Sequence, residues 1–214
     1  MSLKQINLST TISAKATSLP TSRELIATGV GSLLSTPKQE KAAMRLMDIS
    51  NPEKIDQSLL SSLESLTGYP VNEVTSCRYN DHRGVDILCR GFKLRFDSIE
   101  VADKAVQLVA CSFVGMPKQE LSKRLAVLST LVVKPTGESS KDLALRVQSL
   151  SLQLQDYPAD IVDAAIKEVQ NTTTFWPSYS EFYKHIKWRM MRREKLYDSI
   201  VLLRNQLAIP QQSH

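Results

Sequence analysis

Three observations predict a mainly helical α+β chain. Apolar residues recur at helical spacing through most of the second half. A single stretch, between Val74 and Phe96, alternates with period two. Glycine is scarce, at 7 among 214 residues, which argues against a turn-rich all-β fold and against glycine-built phosphate loops. The predicted architecture is a C-terminal four-helix bundle, a small central β-hairpin accompanied by helices, and a disordered N-terminus. The expected division is residues 1–36 as a disordered tail, 37–115 as a small α+β region, 116–207 as the helical bundle and 208–214 as a second disordered tail.

Residues 1–36 are crowded with Ser and Thr and show no periodicity, the composition of a disordered segment or interaction tail. Thr36-Pro37-x-Gln39 has the chemistry of a helix start, with a capping hydroxyl, proline at the first helical position and a glutamine that can reach back; a short helix through Met47 follows. Asn51-Pro52 opens another helix through Leu59, Leu60, Leu63 and Leu66, ended by Gly68. Val74 to Tyr79, then Asn80 to Gly84, then Val85 to Phe96 reads as strand, turn and strand, with a break at Gly91. Asp97-x-x-Glu100 is the expected capping pair of a helix reaching about Phe113.

From Pro117 onward the chain reads as helix. Leu121, Leu125, Leu128 and Val132 make one apolar stripe, and Leu143, Val147, Leu150 and Leu154 repeat its spacing across Lys134-Pro135-x-Gly137, as an antiparallel helix pair requires. Pro158 starts a third helix with Ile161, Val162, Ala165, Ile166 and Val169 inward. Ser178-x-x-Glu181 is a capping box for a fourth, running to about Leu207.

Composition excludes several function classes. No apolar run approaches the roughly 18–20 residues that span a bilayer, so no membrane partner is expected. The three cysteines, Cys77, Cys89 and Cys111, are sparse and odd in number, the usage of a reduced compartment. No phosphate-binding loop, dinucleotide fingerprint, zinc-protease motif or nucleophile elbow occurs, and the only histidines are His82, His185 and His214. Cys77-x4-His82-x6-Cys89 matches no common zinc module, so neither metal nor cofactor is expected. Asp160 and Asp163 are read as first-turn complements to a helix dipole. A residual enzymatic reading falls on the middle segment around Arg78, His82 and Arg83.

The net charge is +5, which is compatible with a polyanionic partner if the charge is gathered on one face. The fourth helix gathers it: Lys184, Lys187, Arg189, Arg192, Arg193 and Lys195 are six cations against one acid, Glu194. At 100° per residue, Tyr179, Phe182, Tyr183, Ile186, Met190, Tyr197, Ile200 and Val201 fall on one side. Lys184, Lys187, Trp188, Met191, Arg192 and Lys195 fall on the other, with Arg189 on the flank. Arg193 points into the apolar stripe and is read as structural, snorkelling or paired with an acid. The candidate nucleic-acid contacts are therefore Lys184, Lys187, Trp188, Arg189, Arg192 and Lys195: cations to hold phosphates and an indole to stack on a base. A protein partner's apolar pocket, or a solvated face whose cations cover apolar stems, fits the same pattern. Phe175-Trp176-Pro177 reads as a hydrophobic staple and core plug, or as a knob for a partner, which makes Trp176 and Trp188 the candidate partner-binding residues.

Two further stretches carry a resemblance. Asp156-Tyr157-Pro158-Ala159-Asp160-Ile161-Val162-x-Ala164-Ala165 and Phe175-Trp176-Pro177-Ser178-Tyr179-Ser180-Glu181-Phe182, set within amphipathic helices, resemble small phage and prophage helical proteins of the replicative-helicase loader or replisome-organiser type. The resemblance runs from about Pro117 to Leu203 and rests on residues that cap and pack helices. It implies a non-enzymatic DNA-replication accessory protein, an adaptor for DNA, single- or double-stranded, and for a replicative helicase, in the cytoplasm of a bacterial host. Some such loaders carry their flexible arm at the C-terminus, whereas the polar arm expected here is N-terminal. The rival expectations are a DNA-binding regulator and a phage structural or assembly protein that forms homo-oligomers through the long helix.

Overall fold

The computed structural model describes residues 51–80, 84–133, 137 and 139–208, with the backbone alone over 75–80 and 84–90. The expected N-terminal tail, the helix at Thr36-Pro37, the centre of the hairpin turn and all but the first residue of the C-terminal tail lie outside the described residues, as do the side chains of Cys77, Arg78, His82, Arg83 and Cys89.

The first helix among the described residues, α1, spans Pro52–Thr67. Asn51 caps it, its side chain accepting from the Glu53 and Lys54 amides at 2.9 and 3.2 Å, and Pro52 at the first position gives up no hydrogen bond. Gly68 ends it with φ +72°, the left-handed conformation that glycine adopts without a Cβ penalty, and its amide returns to the Glu64 carbonyl. The hairpin pairs β1, Asn72–Asn80, with β2, Gly84–Lys93, antiparallel. Its irregularity lies where Ser76 pairs with Cys89 and Cys77 with Ile87, leaving Leu88 as the extra residue, and not at Gly91, which pairs in register with Val74.

Helix α2, Ile99–Ala110, is capped by Ser98 and not by the expected Asp97: Ser98 has the extended backbone a cap requires, and its hydroxyl accepts from the Val101 amide. A short 3-10 turn, Cys111–Phe113, follows. Helix α3 is Lys118–Leu131, α4 is Ser140–Leu154, α5 is Ala159–Thr172 and α6 is Tyr179–Ala208. The α3 stripe, Leu121, Leu125, Leu128 and Val132, is buried throughout. Of the α4 stripe only Leu150 and Leu154 are buried, while Leu143 and Val147 are half-buried, because this helix packs chiefly on α3. The five expected inward residues of α5 are all buried.

The four C-terminal helices form as expected, and the described residues are mostly helical with one two-stranded antiparallel sheet. The organising element is α6, which packs against α5, against α2 and against β2. One apolar cluster accordingly runs from Leu63 through Phe92, Phe96 and Val109 to Leu125, Ile161, Ile186 and Ile200. The junction expected between residues 115 and 116 is spanned by this one cluster. It is a tight crossing, where the Ala159 amide donates to the Val114 carbonyl (2.9 Å) and Gly115 pairs with Pro158. A Cβ at Gly115 would lie 2.5 Å from the Gln155 carbonyl oxygen, so only glycine fits. Among the described residues no helix is long and apolar enough to cross a membrane.

Candidate nucleic-acid interface

Thirty residues of α6 make a rod of about 45 Å at 1.5 Å per residue. Its start is held by Glu181, whose carboxylate accepts from the Ser178 amide (2.6 Å) and hydroxyl (2.9 Å); these bonds hold the Glu181 pKa below the usual glutamate range. Pro177 is buried ahead of it, and Trp176 packs half-buried on the core. Trp176 thus contributes to the packing. Phe175 is 66% exposed, so the core-plug reading of the pair holds for Trp176 alone. The backbone at Phe175 is tied to the end of α3 through the Val133 amide, which donates to the Thr174 carbonyl (2.8 Å).

The inner face of α6 is apolar as expected at Phe182, Ile186, Met190, Tyr197, Ile200 and Val201, all buried. Tyr183 departs from it: the residue is exposed and stacks on Tyr179 with ring centroids 5.8 Å apart. The Tyr179 and Tyr157 hydroxyls are hydrogen-bonded at 2.7 Å, which joins the two stretches of the family-like pattern. Burial, then this bond, raise the Tyr157 pKa.

Arg193 lies fully buried among these apolar residues. It is bidentate to Asp160 (Nη1–Oδ1 3.0 Å, Nη2–Oδ2 2.7 Å), donates twice to Asp56 Oδ1 (3.1 and 2.8 Å) and donates to the Ser112 carbonyl (2.9 Å). One side chain thereby joins α6 to α1, α5 and the 3-10 turn. Burial alone would lower the guanidinium pKa, but Asp160 and then Asp56 outweigh it and raise the value. Asp160 and Asp163 are more than dipole complements. Both are buried, Asp160 in this cluster and Asp163 between Arg124 and Lys167.

Two of the expected phosphate contacts belong to the same internal network. Arg189 is buried, with Nη2 donating to Glu168 (2.7 Å) and Glu53 (3.1 Å). Arg192 is half-buried, its Nη1 on Asp56 (3.0 Å) and its Nε on Glu73 (3.1 Å). The expectation that these arginines face a polyanion is corrected, because their hydrogen bonds and charge are directed to acids of α1, β1 and α5. Hydrogen bonds from Arg189 overcome partial burial and lower the Glu168 pKa, with help from His185 Nδ1 at 2.6 Å from Glu168 Oε2. Glu53, Asp56 and Glu73 were not singled out in the sequence, although Asp56 shares the buried face of α1 with Ile55, Leu59 and Leu63.

What remains outward is a narrower surface of Lys184, Lys187, Trp188, Met191 and Lys195, all exposed. Between residues 184 and 195 these side chains lie within about 100° of one another around a helix of 100° per residue, over about 16 Å of its length. Trp188 stands at one edge, with the Arg189 guanidinium carbon 4.6 Å from its ring centroid. Compared with known proteins, the chain matches no family model, no curated protein and no solved structure.

Proposed function

We propose that the protein is a non-catalytic DNA-replication accessory factor of the phage type, binding nucleic acid through the outer face of α6. The observation that carries the reading is the separation of charge on that helix. Arg189, Arg192 and Arg193 are matched by internal acids, while Lys184, Lys187 and Lys195 project beside an exposed indole. Lysines on a rigid rod attract a phosphate backbone without dictating sequence, which suits an accessory protein that positions another factor. The adaptor role, with a replicative helicase as the second partner in a bacterial cytoplasm, rests on the resemblance of the Tyr157-Pro158 and Trp176-Pro177-Ser178 stretches.

Lys184→Glu with Lys187→Glu should reduce affinity for a labelled oligonucleotide at least tenfold and leave the circular-dichroism spectrum unchanged. Unaltered affinity in the folded variant places the binding surface elsewhere. Because neither lysine is buried, the substitution does not disturb the core.

A further inference from the structure

We infer that Trp188 is a pre-organised base-stacking platform, so that the ligand of the α6 face is a single strand and not a duplex. This rests on the nucleic-acid reading of that face and narrows it to one class of ligand.

An exposed indole on a helix ordinarily samples several rotamers, and ordering it opposes binding. Here one side of the ring is covered by the Arg189 guanidinium, 4.6 Å from the centroid. That guanidinium is itself fixed. Its Nη2 bonds to Glu168 and Glu53, its Nη1 to Glu168 at 3.2 Å and to the His185 carbonyl at 3.1 Å, and its Nε to Glu53 at 3.2 Å. Arg189 is thus anchored to α5 and α1 at once, and a cation over the ring is favourable in its own right. The indole is backed by a rigid support while 43% of the residue stays exposed.

The surroundings fit a strand. Lys184, Lys187 and Lys195 lie on the same face within two helical turns of Trp188, close enough for phosphates on either side of a stacked base. A duplex presents phosphates to the lysines but keeps its base faces stacked inside, so Trp188 gains nothing there unless a step is unstacked, at a cost of a few kcal/mol. Base recognition by an unhydrogen-bonded π-face is also tolerant of sequence.

The test uses the full chain and fluorescence anisotropy with a labelled oligothymidylate and a duplex of equal length at low salt. The wild type should bind the single strand at least tenfold more tightly. Trp188→Ala should weaken single-strand binding by about five- to a hundredfold and duplex binding little, while Trp188→Phe retains most of the affinity. Equal affinity for both ligands, or a Trp188→Ala variant that keeps its single-strand affinity, overturns the stacking role. If Lys184→Glu with Lys187→Glu still abolishes binding in that case, the nucleic-acid reading survives. A wild type that binds neither ligand overturns both, and leaves Trp188 to a protein partner.

Discussion

Arg193 shows how much a single side chain decides in this protein. A charge without exposure requires a full set of partners, and Asp56, Asp160 and the Ser112 carbonyl supply them. Removing the guanidinium takes from Asp160 its bidentate partner in a closed interior and leaves Asp56 with Arg192 alone. Arg193→Ala should therefore lower unfolding stability by about 3–5 kcal/mol, read from the urea midpoint and slope. A loss under 1 kcal/mol would mean that the acids find water or other donors. The periodicity of α6 identifies Arg193 as inward, because an apolar stripe with one cation in it calls for an acid. It does not identify which acid. Asp56 lies 137 positions away in the chain, and nothing local connects the two. The same limit explains Arg189 and Arg192: helical position placed them on the flank and the outer face, while their actual surroundings are set by Glu53, Glu73 and Glu168 on other elements.

At the scale of elements, legibility followed the strength of the local chemistry. Asn51-Pro52 and Gly68 bracket α1 because a cap, a proline and a left-handed glycine act within a few residues. The α3 and α5 stripes were readable for the same reason, since apolar spacing alone determines which face is buried. The start of α2 lies one residue beyond the expected cap because Asp97 and Ser98 are both competent caps, and the extended backbone at Ser98 decides between them. The Tyr157–Tyr179 bond could not be foreseen from either stretch separately, although both contributed to the resemblance. Gly115 carries no local signal, for its constraint is a neighbour 40 residues on, the Gln155 carbonyl. Gly115→Ala should cost about 1–3 kcal/mol, since a backbone atom cannot step aside as a side chain can. A neutral effect on the denaturation midpoint would show that the α4–α5 connection gives way freely.

For the whole molecule, α6 is both the keystone of the packing and the carrier of the candidate interface. Its inner face joins α2, α5 and β2 into one core, and its arginines bind α1, β1 and α5 by charge. A fragment of residues 116–214 would lose Leu63, Phe92, Phe96 and Val109 from that core and would leave Arg193 without Asp56. It should show no cooperative unfolding transition by circular dichroism, whereas a sharp transition would restore the two-region division that the composition suggested. Contacts with α1, α2, α5 and the hairpin hold α6 from several sides, and the outer lysines stand on that support.

Counterion release measures directly whether Lys184, Lys187 and Lys195 meet a phosphate backbone. Titration of a labelled single strand across a range of salt concentrations should give a logarithmic slope of about −2 for three phosphate contacts. Neutralising the three lysines together should bring that slope close to zero and remove most of the affinity. A wild type that does not bind at low salt, or a triple variant with the slope of the wild type, would contradict the account.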